Sequence, residues 1–293
     1  MNPSVWQKVL ELCNSLSNVT YENLTKIIRL EQTGSASGAR NLDDSNQNDV
    51  DAWMGGGTCF SMTWHLYQNL KDMGLKPRLV MGHKRKERNI HCALILPDAE
   101  FNEAHLRSAN QNNETRLRSA NQNVIASGEA AWQSSEPFSR EYLLDPGYLL
   151  FEPLELPLPT PFGQGTAFFP LVPNTVRLDR PSMESLALWT GGAGGPMKLR
   201  FEYPVAGVSV EEFKQHWAES FYREMMTYPV LNRLDRERGV QYYYQKGNLV
   251  TRDANGSRME RIATENQVET LSSVFRLSPE IIEKALGILG KKG

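Results

Sequence analysis

The feature that most constrains this chain is the run Gly55-Gly56-Gly57-Thr58-Cys59-Phe60. After the glycines, Phe60, Trp64, Tyr67 and Leu70 recur at helical spacing, which predicts a helix with one apolar face. The glycine run thus delivers Cys59 to the first turn of that helix. There the positive end of the helix dipole favours the thiolate, which is the attacking form of a cysteine. A free cysteine in an apolar helix equally suits plain core packing, since unpaired cysteines are among the most buried residues. Spacing alone leaves both readings open.

The sequence predicts helical structure over residues 4–30, with a break at Ser15-Leu16-Ser17-Asn18. Thr33 to Asp51 is rich in Gly, Ser, Asn and Asp and reads as a long loop into the glycine run. The Cys59 helix is expected to end near Gly74. Lys76 to Met81 reads as a strand, and so does Ile90-His91-Cys92-Ala93-Leu94-Ile95-Leu96. Alternation in the second strand puts His91, Ala93 and Ile95 on one face, with Cys92 and Leu94 on the other. Residues 97–140 form a polar excursion in which Leu106–Asn112 reappears unchanged as Leu117–Asn123. Two copies are too few for a solenoid, and surface loops tolerate such insertions.

Strand character returns at Glu141–Asp145, followed by a Pro146-Gly147 turn and Leu149-Leu150-Phe151. Pro153 to Pro161 is proline-dense connecting chain, and the composition shifts again after Pro173. A helix is expected over Val210–Met226, and strands at Val240–Tyr244 and Asn248–Val250. Ser278-Pro279 starts a last helix with Ile281, Ile282, Ala285, Leu286 and Leu289 on its apolar stripe.

A thiolate nucleophile needs a base, and the base needs an orienting acid. Of the five histidines, His83 lies among Lys84, Arg85 and Lys86. His65 lies six residues beyond Cys59 on the same helix, so it faces elsewhere. His105 falls in the polar excursion, and His216 sits beside Trp217 on the late helix. His91 is the one on an apolar strand, where a polar imidazole must find partners. Asp145 ends an apolar strand before a turn, from which its carboxylate can accept from the second ring nitrogen of a histidine on a neighbouring strand. Taken singly, a strand histidine also suits a structural role and an Asp before Pro-Gly suits a turn.

The totals restrict the classes of function. The chain has 293 residues, about two domains' worth, with 40% hydrophobic and 23% charged residues and a formal charge of −2. No basic face suggests nucleic acid or an acidic membrane surface. No apolar run approaches the roughly 18 residues that span a bilayer. The Met1-Asn2-Pro3-Ser4-Val5-Trp6 start lacks the pattern of a signal peptide. Three cysteines, Cys13, Cys59 and Cys92, show no disulfide-framework spacing. The expectation is a cytoplasmic protein without nucleic-acid or membrane partners. The triplets starting at Asn18, Asn23, Asn113 and Asn255 are then incidental N-x-S/T matches. Cys59 and Cys92 lack CxxC partners, so no metal is expected. No phosphate-loop motif is present, and the glycines at 191–195 lack a strand-to-helix context.

At these residues the chain resembles the arylamine N-acetyltransferase family. Its R-G-G-x-C-F-E motif is matched by Gly56-Gly57-Thr58-Cys59-Phe60. Its histidine strand is matched by His91–Leu96. Its D-V-G-F-G motif is similar to Asp145-Pro146-Gly147-Tyr148, and a following Pro-Leu-x-Leu element to Pro153-Leu154-Glu155-Leu156. Near the N-terminus, Val19-Thr20-Tyr21-Glu22-Asn23-Leu24 resembles V-P-F-E-N-L. The likeness covers about residues 5–160; the tail from 220 to 289 is only loosely similar.

The resemblance implies an α+β fold with a cysteine-protease-like core. It would comprise a helical domain at 1–75, a β-barrel domain at 76–172 with the excursion near 97–140, and an α/β lid at 173–293. It also implies ping-pong transfer of an acetyl group from acetyl-CoA, through a Cys59 thioester, to an arylamine or hydrazine acceptor. His91 would deprotonate Cys59, Asp145 would orient His91, and Thr58, Phe60, Tyr148 and Leu149 would form the substrate site. An amide synthase, or a hydrolase passing the thioester to water, would use the same triad. A non-catalytic relative acting as a binding protein would leave Cys59 inert.

Several positions depart from the family pattern. The motif arginine is Gly55, and the glutamate after Phe60 is Ser61. Losing both together removes an expected ion pair without stranding either charge, so the nucleophile loop is expected to be held by other contacts. Leu149 replaces the last motif glycine and is expected to narrow the pocket mouth. Tyr148 replaces a pocket-lining phenylalanine and adds a hydroxyl.

Overall fold

A computed structural model describes residues 2–39, 42, 55–98, 140–158, 165–192 and 195–291. Most of the predicted 33–51 loop and the duplicated segments at 106–123 lie outside the described residues.

The N-terminal region is mainly helical. Asn2 caps the Pro3–Ser15 helix by accepting from the Ser4 amide at 2.9 Å. The predicted break becomes a 3-10 turn at Leu16–Asn18. Where helix was expected to resume, Thr20–Glu22 instead forms strand β1, ahead of the helix Leu24–Thr33. Strand β1 pairs in parallel with β2, Gly55–Gly57, and antiparallel with β11, Val230–Asp235. Pairing with distant chain thus overrides the local helical pattern. The helix Cys59–Asp72 follows β2 directly and ends two residues before Gly74, which takes φ +79°.

An eight-stranded barrel-like sheet forms the middle of the molecule. Its strands are β3 Arg78–Lys84, β4 Glu87–Pro97, β5 Glu141–Asp145, β6 Leu150–Glu155, β7 Gly165–Pro170, β8 Thr175–Arg180, β9 Ser185–Gly191 and β10 Lys198–Pro204. They lie in the order β6-β5-β4-β3-β10-β9-β8-β7. The division expected at 172/173 falls within this sheet, in the turn between β7 and β8. The change of composition there marks a hairpin connection, and the strands continue to Pro204.

Strand β4 is buried on both faces, and its alternation sorts two cores. Ala93 and Ile95 pack with Val80, Leu143, Leu178 and Leu188 inside the barrel. Cys92, Leu94 and Leu96 pack with Phe60, Met62, Leu66 and Leu70 of the helical region. Each such aliphatic side chain contributes on the order of 1.5–3 kcal/mol of burial. The Cys59 helix is therefore clamped against the back of the strand that carries His91.

A second sheet has the order β14-β13-β12-β11-β1-β2 and adds β12 Val240–Gln245, β13 Asn248–Asp253 and β14 Gly256–Arg261. The helices Gln267–Phe275 and Pro279–Gly290 bury Leu271, Phe275, Ile281, Ile282 and Ala285 against Leu24, Ile28, Leu231 and Tyr244. Asn23 ties the two ends of the chain together. Its side-chain oxygen accepts from the Val230 amide at 2.8 Å, and its amide donates to the Met225 and Tyr228 carbonyls. The helix expected over 210–226 is α-helical only for Val210–Glu219 and then tightens into 3-10 turns. Phe213 of that helix packs on Phe60 and Trp64. No helix among the described residues is long and apolar enough to cross a membrane.

Candidate active site

The glycine run is shaped by Glu22. This carboxylate is fully buried and accepts from the Gly57 amide at 3.0 Å, the Thr25 hydroxyl at 2.6 Å and the Thr25 amide at 2.8 Å. A β-carbon at Gly55 would lie 3.0 Å from Glu22 Cγ, so the glycine leaves room for Glu22 to reach the loop. Gly57 takes φ +71°, the left-handed conformation that glycine adopts without cost. The contacts that hold the nucleophile loop are thus hydrogen bonds from backbone to Glu22, at the place where the motif arginine is missing.

Cys59 is the first residue of its helix, with Thr58 at the N-cap and without a side-chain capping bond. The Thr58 hydroxyl is buried without a hydrogen-bond partner. Tyr21 pairs with Gly57 where β1 meets β2, just ahead of Cys59.

His91 Nε2 lies 2.8 and 2.9 Å from the two oxygens of Asp145. His91 and Cys59 lie close enough for each to shift the other's titration. Nε2 is engaged by Asp145, so Nδ1 is the ring nitrogen left for a proton exchange with the thiol. Asp145 is fully buried and accepts further from the Tyr148 amide at 2.9 Å and the Tyr203 hydroxyl at 2.8 Å. The Phe201 ring stacks on His91 with centroids 4.1 Å apart and planes 12° from parallel. The imidazole is thus held by a carboxylate at one edge and a phenyl ring on one face.

Gly147 closes the arrangement. A β-carbon there would lie 2.4 Å from Cys59 Cβ, 2.7 Å from Cys59 Cα and 3.1 Å from His91 Cε1. Only a glycine lets the turn after Asp145 lie directly on the nucleophile.

The electrostatics follow from these contacts. A hydrogen bond from Cys92 and the hydrogen bond and charge of His91 outweigh burial and hold the Cys59 thiol well below its ordinary range. The charge of Lys26 adds to this. Burial opposes protonation of His91, but Asp145 and then Cys59 outweigh it and push the imidazole up to about 10. Burial and the neighbouring Cys59 charge push Cys92 well above the ordinary thiol range. Burial alone raises Cys13 to about 12. The favoured state of the pair is thiolate and imidazolium, with Cys92 as a neutral donor.

The expected site residues divide. Tyr148 and Leu149 line a cavity of about 580 Å³ between the barrel and the second sheet. Phe60 lies instead in the helical core against Phe213, and Thr58 is buried at the helix N-cap; neither lines that cavity. The periodicity of the Cys59 helix explains the placement of Phe60, because the residue belongs to its packing face. Leu149 takes φ +62°, a left-handed backbone that suits the glycine of the family motif. The Tyr148 hydroxyl is 3.2 Å from Thr190 Oγ1.

Sequence reasoning missed Lys26, Tyr203, Phe201 and the role of Gly147. Lys26 is 2% exposed, hydrogen-bonds Ser220 Oγ and lies over the Phe221 ring. Nothing local distinguishes it from a solvent-facing lysine. Phe201 and Tyr203 are two apart on one strand, so β10's alternation carried a readable sign that both face one way. No group of three or more His, Cys, Asp or Glu side chains able to hold a metal occurs among the described residues.

No family model matches the chain, and no curated protein matches it. Solved structures do. The chain is similar to the arylamine N-acetyltransferase of Mycobacterium marinum, with a TM-score of 0.64 at 14% identity, over 97% of this chain and 90% of that one. A structure of the same Mycobacterium marinum enzyme in complex with CoA gives a TM-score of 0.62 at 14% identity, covering 95% of this chain and 89% of that one. The arylamine N-acetyltransferase of Nocardia farcinica gives a TM-score of 0.64 at 16% identity, covering 94% and 86%. The chain has the α+β fold of these arylamine N-acetyltransferases.

Proposed function

We propose that this protein is an acyltransferase that carries an acyl group from acyl-CoA to an amine through a thioester on Cys59. The observation that supports it most is the convergence of Cys59, His91 and Asp145 at a helix N-terminus, with the thiol lowered and the imidazole raised. That pairing suits nucleophilic attack on a thioester and fits poorly with an inert Cys59 in a binding protein. The fold shared with arylamine N-acetyltransferases, one of them solved with CoA, is consistent with acetyl-CoA as donor and an arylamine or hydrazine as acceptor.

The steps follow from the geometry. The Cys59 thiolate attacks the acyl-CoA carbonyl and forms a new C–S bond. The tetrahedral intermediate collapses by breaking the bond to the CoA sulfur, which takes the His91 proton and leaves as the thiol. His91, now neutral, accepts a proton from the incoming amine as its nitrogen attacks the acyl-Cys59 carbonyl. Collapse releases the amide and restores the thiolate beside imidazolium. Asp145 keeps the tautomer and orientation throughout, with its own charge balanced by the Tyr203 hydroxyl and the Tyr148 amide. The start of the helix at Cys59 places backbone amides and the positive dipole end where the oxyanion would form.

Incubation of folded protein with acetyl-CoA, followed by intact-protein mass measurement, tests this. The expected result is one added acetyl group, absent in Cys59→Ala and discharged by an arylamine. Discharge to free acid at the same rate without amine would assign a hydrolase instead. Absence of any adduct with a panel of acyl-CoAs would overturn the proposal.

A further inference from the structure

The outer strand of the second sheet is left open along its length. Strand β14, Gly256–Arg261, ends the order β14-β13-β12-β11-β1-β2, so it pairs on one side only among the described residues. All six of its residues are exposed, Met259 at 70%. No other described strand is exposed along its whole length. Edge strands invite pairing with another chain, and proteins commonly blunt them with lysine, proline or a bulge. β14 carries no lysine and no proline, and its register with β13 runs unbroken from Asn248 with Arg261 to Asp253 with Gly256.

The register also shows which backbone groups of β14 face outward. In an antiparallel ladder, residue pairs that exchange both hydrogen bonds alternate with pairs that exchange none. The Ile262 amide donates to the Gly247 carbonyl at 3.0 Å, which continues the β13–β14 register and fixes its phase. Arg258 and Glu260 therefore bond inward to β13, while Ser257, Met259 and Arg261 turn their N–H and C=O groups outward. The Arg261 guanidinium folds back onto the Lys246 carbonyl in the turn between β12 and β13, which keeps that side chain off the outer edge.

The side chains select the occupant. A strand laid antiparallel on this edge must align its own outward-bonding residues with Ser257, Met259 and Arg261. When that strand is β14 of a second copy, a two-fold axis at Met259 pairs Met259 with Met259 and Ser257 with Arg261. It then sets Arg258 of each copy opposite Glu260 of the other. That pair is of the non-hydrogen-bonded type, in which facing side chains lie closest. Moving the axis one residue either way sets Arg258 against Arg258 or Glu260 against Glu260, and like charges directly opposite are unfavourable. The two-fold makes the contact self-complementary and repeats the favourable charge pair on both sides of the axis.

We propose that β14 is a self-association edge, through which two copies of the chain join their second sheets into one continuous sheet about a two-fold axis at Met259. A strand this short covers less area than a standard stable interface, so the association is reversible and depends on concentration. The inference is independent of the acyl-transfer reading above.

Sedimentation velocity on the full chain, over about 5 to 500 µM, tests this. The sedimentation coefficient is expected to rise reversibly from monomer toward dimer. Met259→Pro removes an N–H that β13 does not use, so it is expected to leave urea unfolding unchanged and hold the protein monomeric. Arg258→Glu and Glu260→Arg each set like charges across the seam and are expected to weaken association about tenfold or more. Mixed in equal amounts, the two variants should associate again, because one then presents two acids to the two bases of the other. A wild-type chain that stays monomeric at the highest concentration overturns the proposal. A dimer that persists in folded Met259→Pro, or that both charge variants leave unchanged, places the contact elsewhere and also overturns it. So does a mixture of the charge variants that fails to associate. If Met259→Pro does not fold, the charge variants and their mixture decide the matter.

Discussion

His91 Nε2 contacts both carboxylate oxygens of Asp145, at 2.8 and 2.9 Å, inside a fully buried pocket. That contact occupies one ring nitrogen, and the carboxylate's charge pushes the imidazole up. Asp145→Asn retains the shape and removes the charge, and an amide can also present its N–H and favour the wrong tautomer. Acyl transfer in this variant is expected to fall on the order of 10²–10⁴-fold. The pH midpoint of Cys59 alkylation by iodoacetamide should move upward, since a less basic His91 stabilises the thiolate less. An unchanged alkylation profile would show that Asp145 does not act through His91.

The charged pair also sets how stability depends on pH. Cys59 lies below its ordinary value of 9.0 in the folded chain, so its contribution is complete above pH 9.0 and is lost as pH falls through the folded value. His91 rises from 6.5 to about 10, so its contribution is complete below pH 6.5 and is lost as pH rises through about 10. Between 6.5 and 9.0, wherever Cys59 is already ionised in the folded chain, folded and unfolded chains bind the same number of protons at these two sites and the pair contributes no slope. Cys59→Ala leaves only the His91 contribution. Its urea-unfolding free energy is expected to decline relative to wild type as pH rises through that window. Parallel curves for the two proteins would refute the thiolate–imidazolium state. Acyl transfer should fall as pH passes about 10, where His91 no longer carries the proton for the leaving thiolate.

Glu22 accepts three hydrogen bonds, one from Gly57 in the loop before Cys59 and two from Thr25 in the Leu24–Thr33 helix. Glu22→Ala leaves buried backbone donors without acceptors, a cost of about 1–3 kcal/mol. Urea unfolding should show that loss. Cys59 acylation should slow as well, because Gly57 N–H positions the turn leading into the helix. Glu22→Gln keeps an acceptor oxygen and is expected to lie between wild type and alanine on both measurements.

Each member of the proposed triad sits in its own local signal. Gly55–Cys59 before an apolar stripe, His91 in an apolar strand and Asp145 before Pro-Gly can each be read from residue types alone. The barrel strands from Arg78 to Pro97 were likewise legible from alternation. What stayed hidden depends on distant pairing. β1 is a strand because β2 and β11 flank it, and Lys26 is buried because Ser220 and Phe221 come from the far end of the chain. Phe60 was expected at the substrate site beside Cys59, and its helical position points it to Phe213 and the core.

Gly147 gives the sharpest steric expectation. The turn after Asp145 passes so close to the nucleophile that a β-carbon would fall 2.4 Å from Cys59 Cβ and 2.7 Å from its Cα. Neither is the end of a flexible side chain, so Gly147→Ala must displace either the Cys59 helix start or the Asp145 turn. Overpacking of this kind costs typically about 1–3 kcal/mol, which urea unfolding would register. A small shift also separates Cys59 from His91, since His91 Cε1 is the next nearest atom at 3.1 Å. Acylation of Cys59 should therefore fall far more than stability, and the alkylation midpoint should rise toward that of an ordinary thiol. Full acylation by acetyl-CoA in a folded Gly147→Ala protein would show that the turn does not press on the nucleophile.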